Sequence, residues 1–364
     1  NNLIPHLSRR VYPGLEQVKK HHLKRKNDQA LAELLKYYKS HYAKTPELIE
    51  SSGYNPGNLF SKQSSDSSIS KKKSLPYTQD YQKIIDRADN LGKHIFQWGP
   101  YKEADYGPDI DWAADPAGDI EWVASVYRFS WANDLVNAFL VSGDEKYAKI
   151  FVDLTTDWIK KHPLEKTLYV VHPVYKEGVY GSSGWKGYPW LDIQTGIRAT
   201  NICKSFRTFL HTKAFTPEFL GILIASLYDH QKKTEEIPMN QVHNKAIFEQ
   251  RGFFNVLHTF PEFKEKEKWL DIGIGISYEN LLAQTTADGV QREWCGGYHL
   301  GVYRDALEIK ERANALGRNM PDLYNSRLKL MADHIFGIST PELGFPMFGD
   351  TSRGKQNSHD RKSW

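Results

Sequence analysis

Cysteine is scarce in this chain, with 2 in 364 residues. Cys203 and Cys295 stand far apart and form no CxxC pair, which excludes a cysteine metal centre or a dithiol redox motif. A single disulfide stays open beside the commoner reading of two small buried residues. No apolar run approaches the roughly 20 residues that a membrane crossing needs. An excess of one charge is also lacking: 48 basic residues face 44 acidic ones, a net charge of +4. That balance gives no reason to expect a nucleic-acid partner. The opening "NNLIPHLSRRVYPGLEQ" has no charged head, apolar centre or small-residue cleavage site, so the chain reads as cytoplasmic or as a mature form without its signal. Strand-like alternation of Val, Ile and Thr is sparse, and no strand–helix rhythm appears.

Aromatic residues are plentiful: 10 Trp, 20 Tyr and 17 Phe. Many lie in polar, Gly-rich company, as in "YKEADYGPDIDWAADP" and "VYGSSGWKGYPWLD". Such rings suit either the stacking of sugars or the packing of a core. Helical spacing of apolar residues dominates the rest. Residues 1–50 form an N-terminal helical segment, and the Ser/Lys-rich stretch 51–76 reads as a flexible connector. From there to residue 350, amphipathic stretches alternate with Gly/Pro/Asp-rich loops. "DIEWVASVYRFSWANDLVNAFLVSGDEKYAKIFVDLTTDWIKKHP" reads as two helices joined at "SGDEKY", with Asp144 capping the second and Pro163 stopping it. The expected fold is all-α, built of paired antiparallel helices; periodicity alone leaves bundle, solenoid and closed ring open.

Three stretches hold candidate site residues. In "MNQVHNKAIFEQRGFF", His243 and Asn244 sit where a polar segment meets an apolar helix. Asn244 and Glu249 are about 140° apart on a regular helix, so they do not both point into one site unless Asn244 lies at the frayed end of the helix. Taken alone, Asn244 reads more simply as an N-cap. In "ADGVQREWCGGYHLGVY", the glycine pair precedes Tyr298 and His299, with Arg292, Glu293 and Trp294 alongside. In "WLDIQTGIR", Trp190 and Arg198 have the spacing of one helical face, where they could receive an acidic sugar by stacking and bidentate pairing. The alternative is a structural arginine paired to a neighbouring acid.

Read together, these blocks resemble the heparinase III-like polysaccharide lyases. The resemblance is carried by Asn244, Phe248–Glu249, "FPEFK" (260–264), Asp288–Gly289, Glu293, Tyr298–His299 and "PMFGD" (346–350). "YGPDIDW" (106–112), "SGDEKYA" (142–148) and "FTPEFL" (215–220) follow the same family in the same order. It implies an incomplete α/α toroid over 77–350, with Asn244 and Tyr298 catalytic. His243 and His299 are candidates for assistance. Trp112, Trp190, Arg198, Glu249, Arg292, Trp294 and Arg304 are candidates for substrate binding. Two departures stand out. Gln194 occupies a position where relatives commonly have Glu, and the sequence stops in the polar tail 351–364, before the C-terminal β-sandwich into which family members normally continue, so a fragment of a longer protein or the product of a truncated gene is expected. No cofactor is expected in this chain, since the family's metal site would lie in that further domain.

The chemistry so implied is β-elimination on a uronate polymer, most readily heparan sulfate or heparin, with alginate or hyaluronan as alternatives. An amide on the uronate carboxylate stabilises the enolate-like state, while a tyrosine with an ordinary pKa of about 10 needs cationic help to act as base. His299, His243, Arg292 and Arg304 are the candidate helpers, and the basic loop residues Lys186, Arg251 and Arg292 leave the polymer undecided. Toroids of this kind also host glycoside hydrolases, which need two carboxylates; Asp109, Asp111 and Asp192 could supply a pair. A third reading is sugar binding without turnover. A monomeric, periplasmic or secreted protein with an acidic polysaccharide as its partner is expected.

Overall fold

A computed structural model describes residues 7, 12–42, 75–164, 188–190, 193–239, 242–339 and 349, with backbone alone for 75–80. The expected connector up to residue 74, the tail, most of "VYGSSGWKGYPWLD", and Lys186 and Asp192 lie outside the described residues, while the last two connector positions, 75 and 76, already belong to a helix.

Twelve helices appear among the described residues: α1 (Glu16–Leu23), α2 (Asn27–His41), α3 (Leu75–Leu91), α4 (Ile120–Tyr127), α5 (Ala132–Ser142), α6 (Lys146–Lys161), α7 (Gln194–Phe209), α8 (Pro217–Glu236), α9 (Asn244–Thr259), α10 (Lys266–Gln284), α11 (Gly296–Ala315) and α12 (Asp322–Ile338). Strands are confined to a two-residue ribbon, β1 (Ile95–Phe96) against antiparallel β2 (Ala104–Asp105).

The packing partners give the architecture. Chain neighbours α5–α6, α7–α8, α9–α10 and α11–α12 pair as hairpins. The first members, α5, α7, α9 and α11, also lie side by side, as do α6, α8, α10 and α12. Two concentric layers result, which is the all-α, incomplete α/α toroid of antiparallel pairs. Because each hairpin reverses the chain, the inner helices run alike and bring their N-termini to one end. Outside the ring, α2 packs on α8. Its Tyr37 and Tyr38 both donate to the Glu262 carboxylate at 2.9 Å.

Local chemistry sets the helix ends. Thr216 Oγ1 accepts from the Phe219 N–H at 3.2 Å, with Pro217 opening α8. Asp144 Oδ1 accepts from the Lys146 N–H at 2.9 Å beside a left-handed Gly143, the expected start of α6. The expected two-helix reading of 119–163 is corrected to three. Asp119 caps an extra helix, α4, and the chain breaks at Phe129, φ 58°. Burial of that ring against Trp131 and Trp158, centroids 4.7 and 5.3 Å away, outweighs helical continuation although no Gly or Pro marks the break.

Helix α9 occupies the middle of the inner layer and is buried on nearly every side. It crosses α7 backbone to backbone at Gly196 and Gly252. A Cβ on Gly252 would fall 2.5 Å from the Gly196 Cα, and one on Gly196 would fall 2.6 Å from the Phe248 carbonyl oxygen. Only two glycines permit that approach.

Candidate active site

Helix α9 begins at Asn244, after the N-cap residue His243, and no side chain caps it. The cap reading of Asn244 is thereby corrected. Its Nδ2 donates instead to Glu293 Oε2 at 3.1 Å, three residues before α11. The N-termini of two adjacent inner helices are thus joined by a side-chain hydrogen bond. Behind it, Asn280 Nδ2 donates to the His243 carbonyl at 3.1 Å, fixing the approach to Asn244.

The segment before α11 is tightly determined. Thr285 and Gln291 form an antiparallel bridge around the Asp288–Gly289 turn. Gly289 has φ 89°, and a Cβ there would meet the Leu330 backbone at 2.6 Å. From α12, Arg327 Nη1 donates to the carbonyls of Thr285 and Thr286 at 3.0 and 2.5 Å. Next comes Trp294 at φ 53°, a left-handed conformation that costs a non-glycine residue about 1–3 kcal/mol. Its indole is 63% exposed, and Tyr298, in the first turn of α11, is 37% exposed. Arg292, His243 and Arg304 are exposed as well. Asn244, Glu293, Trp294 and Tyr298 therefore cluster at one end of the inner layer, as the positions of Asn244 and Tyr298 in sequence could not show.

The other candidates turn inward. Arg198 is fully buried: Nη1 donates to the Tyr127 and Pro189 carbonyls at 2.9 and 2.7 Å, and Nε donates to His230 Nε2 at 2.9 Å. Its guanidinium lies 4.1 Å from the Trp158 ring centroid and 5.0 Å from that of Trp190. The spacing did bring Trp190 and Arg198 together, but Trp190 sits in the 3-10 turn Tyr188–Trp190, not on α7. Neither reaches solvent here: the two form a buried cation–aromatic stack. Trp112 is likewise core, with Nε1 donating to Asp157 at 2.7 Å. Glu249 is fully buried, bonded to Lys233 of α8 and accepting the Met239 N–H at 2.7 Å. Gln194 is buried and accepts from Arg128 Nε at 2.7 Å. Arg251 is no loop residue; on α9 it pairs with Asp305 of α11 at 2.6 Å. Both cysteines are buried, and neither takes part in a disulfide.

His299 also faces inward, 2% exposed. Its Nδ1 accepts the Gln291 N–H at 3.2 Å, and its Nε2 lies 3.1 Å from the Met331 carbonyl, which needs the Nε2–H tautomer. Burial lowers its pKa to about 4. It is neutral at pH 7 with both nitrogens engaged, so it supplies no positive charge to Tyr298. The unfolded state takes up this proton below about pH 6.5 while the fold resists it to about pH 4, so the stabilising term is complete above pH 6.5 and lost as pH falls. Each such histidine contributes a slope of about 1.4 kcal/mol per pH unit. Asp229 and Asp305, raised to about 6 by burial, act in the opposite sense, so a difference measurement isolates the histidine. His299→Gln is expected to lower stability at pH 7.5 yet lose less on acidification to pH 4 than the wild type, read by denaturant titration; parallel acid profiles would show that His299 does not titrate on unfolding.

Among the described residues no group of three or more His, Cys, Asp or Glu is arranged to hold a metal, and no helix is long and apolar enough to cross a membrane. Lys233, Gln291, Asn280 and His230 escaped sequence reasoning. "HQKKTEE" reads as a solvated face, and only the i, i+4 pair Asn280–Gln284 hinted at a polar seam inside α10.

Residues 9–363 match the family model described as heparinase II/III N-terminus. A heparin-sulfate lyase of Bacteroides stercoris is 30% identical over 97% of this chain and 50% of its own length. Another, of Pedobacter heparinus, is 29% identical over 93% of this chain and 47% of its own. The chain thus spans about half the length of these curated relatives. Among solved structures, a heparinase III gene product superposes with a TM-score of 0.71 at 28% identity, covering 96% of this chain and 51% of the other. The heparan sulfate lyase HepC of Pedobacter heparinus gives 0.70 at 26%, covering 96% and 50%. With the family model matched over almost its whole length, the chain belongs to the heparinase II/III family.

Proposed function

We propose that this chain carries the catalytic face of a polysaccharide lyase that cleaves heparan sulfate or heparin by β-elimination. The observation that carries the reading is the Asn244 amide, turned from its own helix toward Glu293 beside the exposed Trp294 and Tyr298. Family membership and the names of the heparin-sulfate lyases it resembles support the substrate class.

In this mechanism the uronate carboxylate accepts a hydrogen bond from Asn244, which spreads the charge that develops when the C5 proton leaves. Tyr298 takes that proton as base. The electron pair forms the C4–C5 double bond, the C4–O4 bond breaks, and the departing oxygen takes a proton, from Tyr298 as acid. Arg292 and His243 are exposed side chains at this end of the inner layer, and Arg304 is exposed about two turns into α11. His299 is buried, and this reading gives it no part as a cationic helper of Tyr298. Trp294 offers an aromatic face to a sugar ring. For the hydrolase alternative, Asp109 is tied to Lys161 at 2.5 Å on another loop, and no described pair of carboxylates flanks the Asn244 face.

Incubation with heparan sulfate, heparin, alginate and hyaluronan, followed by ultraviolet absorbance and reducing-end assay, tests the reading. Absorbance should rise with heparan sulfate or heparin as the conjugated double bond forms. New reducing ends without absorbance would mean hydrolysis. Saturable binding with neither would reduce the chain to a sugar-binding module.

A further inference from the structure

We propose that Glu293 is a positioning residue that fixes which end of the Asn244 amide faces it, and that the Gln291–Glu293 segment transmits this constraint from α12. The inference deepens the lyase reading and rests on it for its consequence in turnover, though not for its geometry. One carboxylate oxygen of Glu293 accepts from Asn244 Nδ2 at 3.1 Å, and the other accepts from Gln291 Nε2 at 3.1 Å. The Glu293 N–H donates back to Gln291 Oε1 at 2.9 Å. An ionised carboxylate only accepts, so it can hold the nitrogen of Asn244 and never its oxygen. That leaves the second Nδ2 hydrogen for a substrate anion and turns Oδ1 to a fixed direction. A rotated amide would present oxygen to a carboxylate and repel it.

Glu293 is itself exposed, and an exposed glutamate seldom holds one rotamer by an ion pair. Here two amides hold it, and Gln291 is anchored in turn. The Gln291 N–H is bound by His299, whose far nitrogen bonds the Met331 carbonyl of α12. The chain of contacts thus runs from an outer helix to the inner-layer N-terminus, with the left-handed Trp294 immediately beyond it.

The test uses the whole chain with Glu293→Ala, and with Glu293→Gln, in which an NH2 group replaces one of the two carboxylate oxygens and so sets a donor against one of the two amide donors. Both variants should keep the helical circular dichroism. Their kcat on heparan sulfate should fall about 10- to 100-fold, the cost of misplacing a reacting group by about 1 Å, with KM little changed. In an Asn244→Ala background Glu293→Ala should cost nothing further, because it acts through Asn244. Without any substrate, the side-chain amide ¹⁵N–¹H pair of Asn244, assigned by its loss in Asn244→Ala, should shift in both variants. Unmoved Asn244 resonances, or a Glu293→Ala loss undiminished in the Asn244→Ala background, would overturn the proposal. Failure of every polymer to give unsaturated product would sink the lyase reading instead, and the amide resonances would still decide the positioning role.

Discussion

Asn244→Ala is expected to lower turnover of heparan sulfate by about 10²–10³-fold, the usual loss when one preorganised donor to a developing anion is removed. The thermal midpoint should scarcely move, because the Asn244 side chain caps no backbone N–H of α9 and its one described bond goes to Glu293. Had it been a cap, the same change would cost about 1 kcal/mol of stability. The two roles therefore separate on opposite axes, rate and melting. Tyr298→Phe, which keeps the ring and removes only the hydroxyl, should reduce kcat by about 10²–10⁴-fold, the range for general acid–base groups. Initial rates of ultraviolet absorbance alongside circular-dichroism melts check both. Near-wild-type rates in Tyr298→Phe would remove it as the base, and melting of Asn244→Ala near room temperature would return that residue to a structural part.

Periodicity carried the helices because each inner helix has to bury most of its surface and each outer helix one face. Turn chemistry at Thr216–Pro217 and Gly143–Asp144 marked the boundaries that local hydrogen bonds decide. The break at Phe129 was invisible because its cause, a ring lodged between Trp131 and Trp158, is tertiary. The same limit explains the site. Spacing placed Trp190 beside Arg198 but not the direction in which the pair points. That depends on carbonyls of Tyr127 and Pro189 and on His230, drawn from three separate segments. Abundant aromatics suggested sugar platforms or core with equal force. Trp112, Trp122, Trp158 and Trp269 proved to be core, and Trp294 stands out by its exposure. What singles it out is a left-handed backbone, which composition does not encode.

Glu249→Gln is expected to destabilise the fold by about 3–5 kcal/mol, the cost of leaving one partner of a buried ion pair uncompensated. Glu249 of α9 and Lys233 of α8 are 0% and 2% exposed, so water cannot replace the lost carboxylate. Its second oxygen accepts the Met239 N–H at 2.7 Å, which ties the chain ahead of His243 to the middle of α9. Loss of that tie should loosen the approach to Asn244 and lower kcat as well as stability. Lys233→Met alone should also destabilise, since it strands the carboxylate. The double variant Lys233→Met/Glu249→Gln should recover much of the loss, because two neutral side chains need no counter-charge. Denaturant titrations of the three variants give the coupling energy directly. A substrate-contacting glutamate would behave otherwise: Glu249→Gln would change KM, leave the unfolding midpoint where it is, and show no coupling to Lys233. Full burial of both partners argues for the first outcome, in which a residue matched by the family pattern acts by holding the end of the helix that bears Asn244.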